Sequence, residues 1–316
     1  MFCPCPDNNA CDLLFHSSHV HDYNKIDFSC TSKTYFKPKL FKCMKCKLIF
    51  SEIAKNISEN KKYYVEDLTD VEDKDYIQEI NFKTKYFKQL FNKISSHLNA
   101  NSAVLEIGSY YGVLGNIVKR HVKKYIGLEL STHACQYAKK NYNLDFISET
   151  IKSFSKNNYQ FDVIIMADVI EHFDNPFETM SLIEKNLKPG GILIFTTFNM
   201  DSIFPKLMGK KYHWIMPYHL YYFSNFTLKN LCNKYNFEIF KIKNDTRLVS
   251  YNYLIYKLGL IFPSLGFIFK FLARLKFFQK STIRVNLLDL NIYFAKKKHF
   301  NVKGKLFFLS FSFVII

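Results

Sequence analysis

The chain reads as an α/β protein built on a doubly wound sheet. Three observations predict this. Short apolar runs alternate with amphipathic segments through the middle of the chain, as strands joined by helical crossovers require. The first run, Val104-Leu105-Glu106-Ile107, ends in Gly108-Ser109-Tyr110-Tyr111-Gly112, with two glycines four positions apart. A second glycine turn, Leu187-Lys188-Pro189-Gly190-Gly191-Ile192-Leu193-Ile194, leads into a later apolar run.

Taken in order, residues 51–80 are polar and charged and read as a linker. Over 80–98 the apolar residues Ile80, Phe87, Leu90, Phe91, Ile94 and Leu98 fall at helical spacing. Strand and helix then alternate: strand 103–107, helix 112–121, strand 125–130, and helix 131–141 with Ser131 as its N-cap. Strand 161–167, helix 176–187 and strand 191–197 follow. Residues 227–235 read as a helix, 237–242 as a strand, 247–280 as an apolar helical insertion, and 285–295 as the last strand. The tail, 299–316, is apolar and lies beyond the apparent end of the fold.

Residues 1–50 hold six of the eight cysteines. Clustering of this kind in a protein without a secretory leader favours metal over disulfides. Cys43-Met44-Lys45-Cys46, followed by Leu48-Ile49-Phe50, has the form of one zinc-ribbon knuckle, two thiolates on a tight turn biting one face of a tetrahedral ion. Cys3-Pro4-Cys5 is the expected second pair, one residue shorter than a normal knuckle, with Cys11 or one of His16, His19 and His21 as substitutes. The expected ligands are Cys3, Cys5, Cys43 and Cys46, and the ion is structural, because four sulfur ligands leave no open position. A set of free thiols is the alternative.

Composition narrows the partners. The 316 residues carry a formal charge of +17 with 48% hydrophobic residues, enough for a sizeable core. Only Arg120, Arg247, Arg274 and Arg284 are arginines among the 44 basic residues. Arg forks are what phosphate and base recognition favours. The charge is therefore read as compositional bias, and nucleic acid is the less favoured partner beside a small-molecule acceptor. Residues 1–30 lack a basic start followed by an apolar core, so no secretory leader is expected. The cytoplasm is the default location, with peripheral membrane contact through 247–280 as an alternative.

The glycine stretch carries the chemistry. Ligands of an open parallel sheet lie beyond the carboxyl ends of its strands. Gly108 lets the backbone turn close to a ligand, and Gly112 opens a helix whose amides suit a carboxylate or phosphate. Tyr110 stands where a dinucleotide site would want a second glycine, and Glu106 would repel phosphate but can hold an ammonium. Glu129 ends the second strand, where a carboxylate can take both ribose hydroxyls. The ligand so described has a ribose, an amino-acid-like end and no phosphate. S-adenosylmethionine fits.

At these residues the sequence resembles the class I S-adenosylmethionine-dependent methyltransferases, over roughly residues 80–245. VLEIGSYYG is similar to their cofactor loop, IGLELS to the ribose strand, FDVIIMADVIEHFDNP to the fourth strand with its turn, and LKPGGILI to the entry of the fifth. The resemblance implies a seven-stranded Rossmann-like sheet over 81–298. It also implies a cofactor set of Glu106, Gly108, Ser109, Gly112, Glu129, Leu130, Glu149 and Asp168. A ribbon, then EIGS, DVIEH and HLYYFS resembles bacterial methyltransferases with an N-terminal zinc-binding module, often found in sugar, surface-polysaccharide or secondary-metabolite pathways. A sugar or nucleotide-linked sugar is the expected acceptor. RNA, and a quinone or lipid at a membrane surface, are the alternatives.

Methyl transfer to a hydroxyl requires positioning and a proton acceptor. His172 is the first candidate base, following the fourth strand with Asp168 and Glu171, although it could equally be a structural histidine orienting the turn. His219 is the second. Its neighbours His213, Trp214, Tyr218, Tyr221, Tyr222 and Phe223 form either a lid over the acceptor or core packing.

Overall fold

The computed structural model describes residues 3, 10–17, 37–56, 76–77, 79–251, 255, 267 and 282–298. The tail 299–316, nearly all of 252–281 and most of the 51–80 linker lie outside the described residues.

Seven strands form the main sheet, in the order β10-β13-β8-β7-β4-β5-β6. Five are parallel: β4 (Ala103–Ile107), β5 (Lys124–Leu128), β6 (Phe146–Ile147), β7 (Phe161–Ala167) and β8 (Leu187–Phe198). β4 and β7 lie mid-sheet, and Val104, Leu105, Ile164, Ile165 and Met166 are almost completely buried. Strands covered on both faces read as continuous apolar runs, which is how these two appear in the sequence. The last two strands, β10 (Phe237–Asn244) and β13 (Leu290–Lys297), complete one edge, β13 antiparallel to both β8 and β10. Apolar periodicity marks such strands without giving their direction, so an all-parallel sheet was the natural expectation and the antiparallel edge is a finding.

Helices cover both faces. The helix before the sheet, α2 (Ile80–Ile94), buries Tyr86, Leu90, Phe91 and Ile94. α3 (Val113–Val118) follows β4, and α4 (Thr132–Tyr142) follows β5. Ser131 caps α4 as its residue type predicts, its hydroxyl accepting from the Ala134 amide at 3.2 Å. α5 (Ile151–Phe154) and α6 (Pro176–Asn186) flank β7, and Asn175 caps α6 with Pro176 in its first turn. α7 (Ile203–Met208) and α8 (Asn225–Lys234) follow β8.

The N-terminal residues build a second, four-stranded sheet in the order β1-β2-β3-β9 from β1 (Cys11–Phe15), β2 (Leu40–Cys43) and β3 (Ile49–Ser51), with α1 (Ile53–Asn56) after it. Its fourth strand, β9 (Tyr221–Tyr222), comes from the far side of the chain and pairs with Ile49 and Phe50. Tyr221, Tyr222 and Phe223 are therefore packing between the module and the main domain. They are not a lid.

Residues 247–250 correct the expected helical insertion. They form β11 (Arg247–Ser250), paired antiparallel with β12 (Thr282–Val285). Leu248 and Val249 satisfy strand as readily as helix, and the pairing with Arg284 and Ile283 decides between them. The expected last strand at 285–295 divides accordingly: 282–285 belongs to this hairpin and the sheet strand begins at Leu290.

Candidate active site

The turn after β4 is held in the left-handed region at three of its five residues. Gly108 has φ +70°, Tyr110 +43° and Gly112 +79°. A Cβ on Gly108 would lie 2.6 Å from Val169, and one on Gly112 2.9 Å from Ala138 and Leu144. Glycine is required at both positions, by conformation and by space. Tyr110 bears its strain because its amide donates to Glu129 Oε2 at 2.7 Å and its ring packs edge-on against Tyr76 and Tyr111. Ser109 is buried, and its hydroxyl donates to the Glu106 carbonyl at 2.8 Å.

Glu129 sits where the ribose carboxylate was expected, one residue past β5. Its Oε1 accepts from the amides of Leu130 (2.7 Å) and Ser131 (3.0 Å), and Oε2 accepts from Tyr110. A carboxylate has about four acceptor positions. Three are filled, which leaves one, on Oε2, for a ribose hydroxyl. The expected two-hydroxyl grip needs one of these amides to let go. Burial raises the Glu129 pKa, while the three amides oppose the rise. Glu149 lies half-buried just after β6, at the same end of the sheet.

Glu106 is placed differently from expectation. Its side chain is buried, and Oε2 accepts from Tyr125 Oη at 2.6 Å. Burial pushes its pKa up to about 8, against the pull of the Tyr125 hydrogen bond. At neutral pH it mostly keeps its proton, so it offers an ammonium no full charge.

Beyond β7 the candidate catalytic residues do converge. Asp168 has φ +58° and accepts from Thr196 Oγ1 at 2.6 Å, and its Oδ2 lies 2.6 Å from Arg247 Nη2. A short turn, Ile170–His172, follows. His172 Nδ1 lies 2.8 Å from the Tyr218 carbonyl, and His219 Nδ1 lies 2.8 Å from the Trp214 carbonyl. A carbonyl only accepts, so each Nδ1 carries the hydrogen and each Nε2 the lone pair. The rings are 4.8 Å apart. Burial lowers the pKa of His172, and lowers that of His219 well below the usual histidine value, with His172 adding to the effect. Glu171 is buried beside them, its Oε2 without a hydrogen-bond partner among the described residues and its pKa pushed up to about 8 by burial, then by Asp168. One ligand atom from each of Glu171, His172 and His219 lies within 4.8 Å of the others, so the set has the donors of a metal site as well as of a proton acceptor.

In the N-terminal module the sulfurs of Cys3, Cys43 and Cys46 lie within 4.8 Å of one another, with Cys3 Sγ 3.5 Å from Cys46 Sγ. Cys11 stands opposite Cys43 across β1 and β2, and burial, then Cys43, pushes its thiol up to about 12. Cys5 lies outside the described residues, and Cys11, across the strand pair from Cys43, is not one of the three clustered sulfurs.

Sequence reasoning missed Arg247 and Asp245. Asp245 is buried and takes hydrogen bonds from Tyr86 Oη at 3.0 Å and Lys93 Nζ at 2.6 Å, pinning the start of β11 to α2. One signal was present: an Asp and an Arg two residues apart, just after an otherwise amphipathic strand.

The methyltransferase domain family matches residues 78–242, more than half of the chain. The protein belongs to this family of class I S-adenosylmethionine-dependent methyltransferases. The mitochondrial ubiquinone biosynthesis O-methyltransferase of Dictyostelium discoideum is 28% identical over 149 residues, covering 41% of this chain and 46% of that protein. The ubiquinone biosynthesis O-methyltransferase of Erwinia tasmaniensis is 26% identical over 117 residues, covering 34% of this chain and 48% of that protein. The chain thus spans about half the length of the curated relatives it matches. A solved S-adenosylmethionine-dependent methyltransferase from Archaeoglobus fulgidus superposes with a TM-score of 0.48 at 15% identity, covering 71% of this chain and all of that one. No helix among the described residues is long and apolar enough to cross a membrane.

The Glu106 environment predicts a pH effect on stability. Its folded pKa of about 8 lies above its ordinary value, so the unfolded chain releases this proton first. Stability falls as pH rises from about 4.5 to 8 and levels off above that. Glu106→Gln removes this part of the slope and leaves the protein more stable than wild type at pH 8.5. Urea denaturation at pH 5.5 and 8.5 measures it, and equal slopes in both proteins would contradict the assignment.

Proposed function

We propose that the chain transfers a methyl group from S-adenosylmethionine to the hydroxyl of a ring acceptor of the catechol type. The observation carrying this reading is the imidazole pair beyond β7, each Nδ1–H tied to a backbone carbonyl, which fixes the tautomer with the lone pair on Nε2. S-adenosylmethionine supplies an electrophilic methyl group on a sulfonium. Gly108 and Gly112 let the backbone approach it closely, and Glu129 holds the loop and offers its remaining acceptor position to a ribose hydroxyl. The acceptor hydroxyl is held toward His219 or His172. As its oxygen bonds to the methyl carbon and the carbon–sulfur bond breaks, its proton passes to an Nε2. A catechol oxygen titrates within reach of a neutral imidazole, whereas a sugar hydroxyl does not, so this base suits a phenolic acceptor better. The names of the matched relatives, O-methyltransferases of ubiquinone biosynthesis, support a ring acceptor and give none to the sugar expected from the wider resemblance.

The N-terminal thiols fit a structural zinc ion held by Cys3, Cys11, Cys43 and Cys46, with Cys11 replacing the expected Cys5. Support comes from the Cys46 amide, which donates to Cys43 Sγ at 3.3 Å, and from the left-handed Lys47 that closes the knuckle. Metal analysis should find about one zinc per chain. Cys11→Ser should lose most of it while Cys5→Ser keeps it; the reverse pattern would restore the CxC reading.

Incubation with methyl-labelled S-adenosylmethionine and catechol tests the main reading. Labelled 2-methoxyphenol is expected. His219→Gln should lower kcat by about a hundredfold, the usual scale for a lost general base, with little change in KM. Unchanged kcat in both His219→Gln and His172→Gln would show that neither imidazole accepts the proton.

A further inference from the structure

We infer that Tyr222 is a positioning residue, whose hydroxyl holds the segment 214–219 so that both imidazoles keep their lone pairs on Nε2. The inference rests on the proposed role of those imidazoles. Nothing in the packing calls for this hydroxyl. Tyr222 is buried, its ring meeting Phe198 at 5.9 Å and His219 edge-on at 6.4 Å, and a phenylalanine would fill the same space. The hydroxyl instead reaches Met216. It accepts from the Met216 amide at 3.3 Å and donates to the Met216 carbonyl at 3.2 Å. A phenol has one hydrogen to give and room to accept, and here the main chain of one residue uses both.

Met216 lies at the centre of the segment that sets the tautomers. Its carbonyl also accepts from the His219 amide at 3.2 Å, so the phenol and the His219 main chain meet at one oxygen. On either side of Met216, the Trp214 carbonyl takes His219 Nδ1–H and the Tyr218 carbonyl takes His172 Nδ1–H. The main-chain end of Tyr222 is fixed as well. It pairs with Ile49 where β9 meets β3, and the Ser51 amide donates to the Leu220 carbonyl at 2.9 Å. Leu220 in turn donates its amide to the Glu171 carbonyl at 2.9 Å, next to His172. The ring thus runs as a strut from the N-terminal sheet to the middle of the segment. A base works only within hydrogen-bond reach of the proton it takes, so an orienting carbonyl that drifts costs rate even when nothing unfolds. Tyr221 supplies the contrast. It is equally buried, but its hydroxyl donates to the Asp174 carbonyl at 3.0 Å and not to the 214–219 segment.

Tyr222→Phe and Tyr221→Phe each delete one buried hydroxyl and keep the ring. Both are compared with wild type by nitrogen NMR of the histidine-labelled full chain and by kcat for catechol methylation, the His219 signals being assigned by their loss in His219→Gln. Wild type should show His219 as one tautomer, with the hydrogen on Nδ1. Tyr222→Phe should draw its two ring-nitrogen shifts together, the mark of mixed tautomers. It should also lower kcat about tenfold, the scale of one hydrogen bond, with S-adenosylhomocysteine affinity unchanged. Tyr221→Phe should keep the single tautomer and stay within about twofold of wild type in kcat. A single tautomer retained in Tyr222→Phe, its kcat within about twofold of wild type, or equal losses in the two variants would each overturn the inference. If Tyr222→Phe fails to hold S-adenosylhomocysteine, hydrogen exchange in the wild type decides. The Met216 amide should exchange at least about tenfold more slowly than an open loop amide, and unprotected exchange overturns the inference. If wild type methylates no catechol, the proposed function falls, and the tautomer comparison alone decides the role of Tyr222.

Discussion

The carboxylate of Glu129 ties together the two loops on which the site depends. It takes the amide of Tyr110 from the turn after β4, and the amides of Leu130 and Ser131 from the turn after β5. Each turn alone has the freedom of a loop. Joined through one buried carboxylate, they become a fixed surface at the carboxyl end of the sheet. The left-handed Tyr110 is tolerable only within that arrangement, because a strained residue persists where its surroundings over-determine it. The same carboxylate that shapes the floor retains one acceptor position, so in the proposed function shaping and ribose binding draw on one group.

The second half of the site is arranged by backbone carbonyls. Those of Trp214 and Tyr218 each hold an imidazole by Nδ1, fixing the tautomer before any ligand arrives. Burial then keeps both rings neutral. Glu171, pushed toward its neutral form, adds little negative charge to oppose this below pH 8. Tautomer and charge state together define a pair of lone pairs held in place beside Asp168. The segment supplying the two carbonyls is anchored from behind, because β9, which follows His219 and Leu220, is a strand of the N-terminal sheet. The cysteine module thereby supports the candidate catalytic end of the main domain through β3.

Much of this was legible in the sequence wherever a local rule sufficed. Gly108 and Gly112 stand where the backbone must turn left-handed, Ser131 caps its helix, and Glu129 directly follows its strand. Each follows from neighbours within a few positions. What was not legible depended on distant partners. Glu106 looks like a ligand group until Tyr125 is seen across the neighbouring strand. Tyr221 and Tyr222 look like a lid until Ile49 and Phe50 are seen beside them. Arg247 only opens the stretch read as an apolar insertion, and only the fold brings Tyr86, Trp214 and Asp168 around it. Cys11 was one of several substitutes for an expected ligand, and the pairing of β1 with β2 is what sets it opposite Cys43.

The central claim is that the surface tied together by Glu129 is the cofactor floor. Calorimetric titration of the full chain with S-adenosylhomocysteine, beside Glu129→Ala of verified fold, tests it most directly. Micromolar binding by the wild type and its loss in the variant is the predicted result. Equal affinity in the two proteins, or no binding by a folded wild-type chain, would contradict it.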